Sequence, residues 1–481
     1  MTLPPVIRDN RRSLSWFFIL LSTLFLSSCD KLLVDTSQPY PPSAARLILY
    51  IHSNSKTPPD IDFSISEIDL ETEGGKTIKA AEGPIDVSSL SVASGQLLLK
   101  EAAVEPGLYR RMKLKISRAS VKKGGGRVNL ALPEPDGLLS VRANFEIHRD
   151  ESFVTSLEWD PGKSVEGGYR FQPGIVAELQ MPSPRGLLLF VSNSGSNFIS
   201  IIDRSLERVI GAVTTGDRPM GMALNSTQDQ LYVVNSGAGN VSVVDTSQFR
   251  LLSTIPLPGS MGPADIVFIP DPFGIEGKIY ITNRLSNDVT VVNTATRNIL
   301  KLIPVGNNPS HIASDTGRKE IYVTNEDSND LSIISTIDDT VVATIAVNRQ
   351  PTGITVVKDK LYIFNQGSNS ISIVSTSQRQ VVGNISLTAP PKRGINGFGG
   401  KTFIANTSVD TVTSLNSFDV TIRSIPLGRG PIGFAGDEVR NRLYITNYGD
   451  GSVSLMDPVA EIVLKKLFVG KNPYGLVLIE Q

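Results

Sequence analysis

Cysteine is almost absent from this chain. Cys29 is the only one in 481 residues, which excludes an internal disulfide and any cysteine-based metal cluster. Histidine is nearly as scarce: His52, His148 and His311 are the only three, and they fall far apart. No His-Glu-x-x-His pair, Gly-x-Ser-x-Gly elbow, phosphate loop or haem Cys-x-x-Cys-His occurs. No catalytic residue, metal-ligand set or cofactor is therefore expected, and carboxylate-only chemistry is the catalytic route left open. An excess of one charge is missing as well. The 46 Lys and Arg nearly cancel the 47 Asp and Glu, for a formal net charge of −1. No overall field draws the chain to nucleic acid or an anionic membrane. Aromatic residues make up only 6 %, against 41 Gly and 30 Pro, a balance that suits many short strands joined by turns.

What the chain has in abundance is repetition. Leu231-Tyr232-Val233-Val234-Asn235 reads as a strand, Ser236 to Asn240 as a polar turn, and Val241 to Asp245 as a second strand. Near-copies end in Asn193, Asn283, Asn325, Asn365, Asn406 and Asn447, so the seven asparagines are spaced 42, 48, 42, 40, 41 and 41 residues apart. A fixed period of this size marks a repeat architecture. One unit contains four strand-like runs: Pro309 to Ala313, Ile321 to Asn325, Leu331 to Ser335 and Val341 to Val347. That is the size of one propeller blade. Innermost strands are expected to begin at Pro219, Pro263, Pro309, Pro351, Gly394, Pro431 and Pro473. The first hairpin, from Leu187, has no inner strand before it, and Pro473 to Ile479 has no hairpin after it. The last strand is thus expected to complete the first blade and leave no open edge. The expected fold is all-β: an N-terminal antiparallel β-sandwich, then a seven-bladed β-propeller over 187–481 closed by the C-terminal strand.

The start of the chain reads differently. Arg8, Arg11 and Arg12 precede an apolar run from Trp16 to Leu26, too short for an ordinary membrane span. Leu26-Ser27-Ser28-Cys29 resembles the bacterial lipobox. The resemblance implies removal of residues 1–28 as a lipoprotein signal peptide and lipidation of Cys29. Residues 29–43, with Pro39, Pro41 and Pro42, read as an extended tether. The expected location is the cell envelope, lipid-anchored, with membrane and leaflet open.

Residues 44–180 lack the 40-residue period. Ile61 to Leu70 and Tyr109 to Val121 alternate apolar and polar positions, Gly74-Gly75 reads as a hairpin turn, and no helical period stands out. A sandwich of seven or eight strands fits. Trp159 is expected in its core. Ser66 to Leu70, Glu105-Pro106-Gly107, Leu157 to Asp160 and Tyr169 to Pro173 resemble a β-sandwich domain of unknown function found in bacterial envelope lipoproteins. The repeats resemble the YVTN family of propeller repeats, literal at Tyr322-Val323-Thr324-Asn325 and at the Val469-Gly470-Lys471-Asn472-Pro473-Tyr474-Gly475 turn. Neither resemblance implies a catalytic activity.

The loops from outer strand to next inner strand lie on one face, around the channel mouth. They carry Arg218, Arg349, Lys392, Arg393, Arg429, Lys471 and the propeller's single histidine, His311. A basic ring on one axis would attract an anionic ligand or an acidic protein. Asp217 and Asp265 in the same loops argue instead for an ordinary solvated rim. Asn287-Asp288 and Asn329-Asp330 offer oxygen ligands for calcium, although turn formation alone accounts for them. Three classes of function follow. The first is a non-catalytic binding or protein-interaction platform. The second is a propeller enzyme, such as a lactone or glycan hydrolase or lyase. The third is a structural surface-layer or adhesion component.

Overall fold

The computed structural model describes residues 45–93, 95–179, 186–271, 274 and 276–479. Cys29 and the tether lie outside the described residues, as does part of the loop at 271–277. Strands dominate, and no described helix is long and apolar enough to cross a membrane.

The N-terminal part is built from two sheets over one apolar core. One orders the strands Gly174–Leu179, Ser152–Asp160, Ala45–Ser53 and Gln96–Val104. The other is built on Ile61–Thr72 and Gly107–Lys123, with Thr77–Ser88, Gly126–Asn129 and Leu138–Ile147 beside them. Trp159 is fully buried, its ring edge-on to Phe63 at 4.8 Å, and its indole N–H donates to Ser164 Oγ at 2.8 Å. Two expectations need correction. The sheets are not wholly antiparallel, because Ala45–Ser53 runs parallel to Ser152–Asp160. Alternation reports which face is buried and is silent on strand direction. The two sheets also hold nine strands among the described residues, not the expected seven or eight, and Ser89–Ala93 adds a five-residue helical turn too short to show a period.

Among the described residues, seven four-stranded antiparallel sheets follow from Leu188 onward. Their inner strands touch in cyclic order and form the closed ring of a β-propeller. The inner strands are Pro219–Leu224, Pro263–Pro270, Pro309–Asp315, Pro351–Val357, Arg393–Gly397, Pro431–Asp437 and Pro473–Ile479. The fifth of these starts at Arg393, one residue before the expected Gly394. The C-terminal strand pairs antiparallel with Leu188–Asn193, so the two ends of the repeat region share one sheet, here counted as blade one. The second and third strands of each blade are buried along nearly their whole length, as their Val, Ile and Tyr content requires between two neighbouring sheets. The fourth strands are largely exposed, except Arg208–Thr214, which the N-terminal sheets cover.

The recurrent asparagine has a structural role. In each of these sheets its side-chain amide N–H donates to the hydroxyl seven residues on: Asn325 to Ser332 at 2.9 Å, Asn283 to Thr290 at 2.7 Å, and likewise from Asn193 to Asn447. The bond ties the end of strand two to the middle of strand three. The residue before strand three is left-handed in every blade (Asn197, Gly239, Asn287, Asn329, Asn369, Asp410, Gly451), which explains the run of Asn, Asp and Gly. Asp288 and Asp330 accept from Asn283 and Asn325, so the acids considered for calcium are engaged in the turns. The Val-Gly motif is also steric. A Cβ on Gly306 would lie 2.7 Å from Asn325 Cγ.

The N-terminal sheets and the ring are packed together. Ile48, Tyr50 and Val154 share a core with Leu189, Val191 and Phe198 of blade one. Arg46 and Glu101 form a buried pair at 3.7 Å, and Ser196 Oγ donates to Glu101 at 2.8 Å. Gln96 Oε1 accepts the Val209 backbone N–H at 2.8 Å, occupying part of an otherwise open strand edge.

Candidate functional site at the channel mouth

The seven inner strands share one register position, opposite or beside the residue preceding the blade's asparagine. It is occupied by Gly221, Asp265, His311, Gly353, Arg393, Gly433 and Gly475. Glycine lets neighbouring strands close on each other: a Cβ on Gly433 would lie 2.3 Å from the Tyr474 carbonyl oxygen. Three blades place an aspartate, a histidine and an arginine there instead, and these side chains meet. Asp265 belongs to blade three and Arg393 to blade six, so the contact crosses the axis.

Arg393 Nη2 lies 3.5 Å from Asp265 Oδ2 and donates to the Tyr474 hydroxyl at 2.8 Å. Its guanidinium carbon stands 4.7 Å from the Tyr474 ring centroid, a cation–π contact. His311 Nε2 lies 3.4 Å from Asp265 Oδ2. The side chains of Asp265, Arg393 and His311 are 10, 11 and 17 % exposed, so this charge cluster is largely withdrawn from water. Above it, Arg284 pairs with Glu326 at 3.0 Å and donates to Asn308 at 2.8 Å.

Burial pushes the Asp265 carboxyl above the ordinary carboxylate range, while the Arg393 charge pulls it back. Burial, with Arg393 adding to it, holds His311 well below the usual imidazole range. His311 is thus neutral at pH 7. Its Nδ1 accepts the Ile354 backbone N–H at 3.2 Å, which puts the proton on Nε2, facing Asp265. Both ring nitrogens are engaged, and neither is left to take a proton from a substrate. One histidine and one carboxylate beside a fixed guanidinium do not make a metal site.

The histidine gives a pH prediction with a definite sign. Its folded value is depressed, so below about pH 6.5 the unfolded chain binds the extra proton and stability falls. The loss attributable to this residue approaches about 1.4 kcal/mol per pH unit below that point. Asp265 acts oppositely, its raised value removing stability as pH rises. Urea unfolding from pH 7 to pH 5 should therefore show a shallower decline for His311→Phe than for the native chain. Parallel profiles would contradict the assignment.

Of the residues singled out from sequence, the structure brings only His311 and Arg393 into this cluster. Arg218, Arg349, Arg429 and Lys471 are exposed on the surrounding loops, and Lys392 is half-buried. Arg218 is left-handed, in the loop position that holds Asn308 and Asn472 in other blades, and Arg349 donates to the Gly367 carbonyl at 2.8 Å. Asp265 is an integral partner of the cluster. Tyr474, Arg284 and Glu326 were missed. The signal that could have found Asp265, His311 and Arg393 together is the break in the glycine two residues after the proline at or just before the inner strand (Pro263, Pro309 and Pro391).

No family model matches the chain, and no curated protein matches it. Solved structures do. A functionally unknown protein from Desulfotomaculum acetoxidans DSM 771 is 14 % identical, over 61 % of this chain and 99 % of that one, with a TM-score of 0.54. Hydrazine synthase from Kuenenia stuttgartiensis is 17 % identical, over 58 % of this chain and 94 % of that one, with a TM-score of 0.50. Virginiamycin B lyase from Staphylococcus aureus matches at 16 % identity over 53 % of this chain and 87 % of that one, with a TM-score of 0.46. At such identities the first two likenesses are of fold alone, and the ring of four-stranded sheets is that of a β-propeller.

Proposed function

We propose that this protein is a lipid-anchored cell-envelope lipoprotein whose propeller is a non-catalytic binding platform. In this reading Cys29 carries the lipid, residues 44–180 form a sandwich-type spacer, and the ring is a seven-bladed propeller of the YVTN type. The channel mouth takes an anionic ligand or an acidic protein partner. The observation that carries the binding role is the replacement of the ring glycine by Asp265, His311 and Arg393, which makes one mouth of an otherwise repetitive ring chemically distinct. Arg218, Arg349, Arg429 and Lys471 lie exposed on the loops of that face and would extend its attraction for negative charge. The engaged nitrogens of His311 favour binding over catalysis. A hydrolase or lyase would draw on Asp265 and Glu326, the two largely buried acids placed at this cluster. The reading is tested by affinity capture from envelope extracts with the full-length protein, followed by a glycan and lactone panel. Recovery of an acidic partner released by salt supports it; turnover of the panel without a specific partner overturns it.

A further inference from the structure

A second cluster of ionisable groups lies away from the channel, where the N-terminal sheets meet blade one. His52, Glu158 and Glu178 stand on three adjacent strands of the sheet that faces the ring, with His52 directly opposite Glu158 in register. One ligand atom from each lies within 4.8 Å of the others. His52 is buried at 5 % exposure, whereas Glu178 keeps a third of its side chain in water. Strands hold the three groups on a rigid platform, which suits a metal site better than a loop does.

The contacts within the cluster point to a cation. One oxygen each of Glu158 and Glu178 lies within 4.8 Å of the other and of the His52 ring nitrogen, Glu158 also accepting from the Asn54 amide at 3.3 Å, and two carboxylates this close favour a shared positive charge. His52 Nε2 lies 3.1 Å from Glu178 Oε2 and 2.8 Å from Arg208 Nη1. That nitrogen cannot serve both neighbours. As an acceptor it takes the Arg208 proton and faces the Glu178 lone pairs; as a donor it serves Glu178 and meets the Arg208 N–H. Arg208, on the outer strand of blade one, thus puts a positive charge where the three groups converge. It satisfies them imperfectly, being 3.5 Å from Glu178.

We propose that His52, Glu158 and Glu178 form a binding site for a divalent transition metal of the zinc class, in which the Arg208 guanidinium is the competing cation. One imidazole and two carboxylates, with water in the fourth position, are a ligand set zinc accepts. Tetrahedral zinc holds its ligand atoms about 3.4 Å apart, so the half-exposed glutamates need only close inward. Arg208 is itself 25 % exposed and has a path to solvent.

The experiment is a calorimetric titration of the full-length protein with zinc chloride at pH 7. One equivalent should bind saturably. His52→Ala should weaken binding at least tenfold, and Glu178→Gln, at a half-exposed position that tolerates the change, should do the same. Arg208→Gln should bind zinc several-fold more tightly, because the competitor is gone. An accidental surface site would not respond to Arg208 in that way. Three results would overturn the proposal: no saturable uptake in either the native chain or Arg208→Gln, binding indifferent to Glu178→Gln, or unchanged or weaker affinity in Arg208→Gln.

Discussion

Arg204→Ala should cost about 3–5 kcal/mol of folding stability, among the largest losses expected from a single substitution in this chain. The Arg204 and Asp437 side chains are 0 and 1 % exposed and form an ion pair. Arg204 also donates to the Ile479 carbonyl at 2.6 Å, and its own backbone N–H donates to the Leu187 carbonyl at 2.8 Å. One side chain therefore links the end of the first hairpin, the inner strand of the neighbouring blade and the C-terminal strand. These are the pieces that must meet for the ring to close. Removing the guanidinium strands a buried carboxylate, left with Arg440 at 3.4 Å on its exposed side. The penalty comes from the orphaned charge rather than from the pair's net attraction. Replacing both members, as in Arg204→Met with Asp437→Leu, should consequently recover most of the loss. Urea unfolding checks this, and a deficit below about 1 kcal/mol in the single variant would contradict it.

Arg393→Ala should cost a comparable amount, about 3–5 kcal/mol, through the same physics at the axis. The substitution removes the cation–π contact with Tyr474 and leaves Asp265 buried without a counter-charge. Two signatures separate this from a generic packing defect. Asp265→Asn should rescue at least half of the loss in the double variant, because the two residues are coupled. The deficit should also shrink as pH falls. Asp265 already titrates above the usual carboxylate range, and without Arg393 it rises further. The native state then holds a proton that the unfolded state has released, so stability is gained toward acid pH. A deficit that is independent of pH and unrelieved by Asp265→Asn would remove Arg393 and Asp265 as a pair.

The ring was legible in sequence because its cause is local and repeated. Each asparagine, each hydroxyl seven residues later and each left-handed turn residue satisfies the same hydrogen bonds every 40 residues or so. Closure was legible for a similar reason: a hairpin without an inner strand and an inner strand without a hairpin complete each other. Strand direction in the N-terminal sheets was not legible. Ala45–Ser53 sits between Gln96–Val104 and Ser152–Asp160, and no short-range pattern fixes which neighbours a first strand will choose. The site was only half legible. Loop position identified His311 and Arg393, but it grouped them with exposed cations such as Arg349 and Lys471 and set Asp265 against them. What unites Asp265, His311 and Arg393 is the register position where the other four inner strands carry glycine, a break in the repeat that stands out once the inner strands are aligned. His52, Glu158 and Glu178, by contrast, become neighbours only through the pairing of distant strands.

The binding role of the channel mouth is tested most directly by comparing the native full-length protein with Arg349→Ser/Arg393→Ser/Arg429→Ser in capture from envelope extracts. The triple variant should first be matched to the native chain by circular dichroism. The native protein is predicted to retain a specific acidic partner or anionic ligand that rising salt releases, and the triple variant to lose it. Retention of the same partner at the same salt by both proteins would contradict a binding site at this mouth.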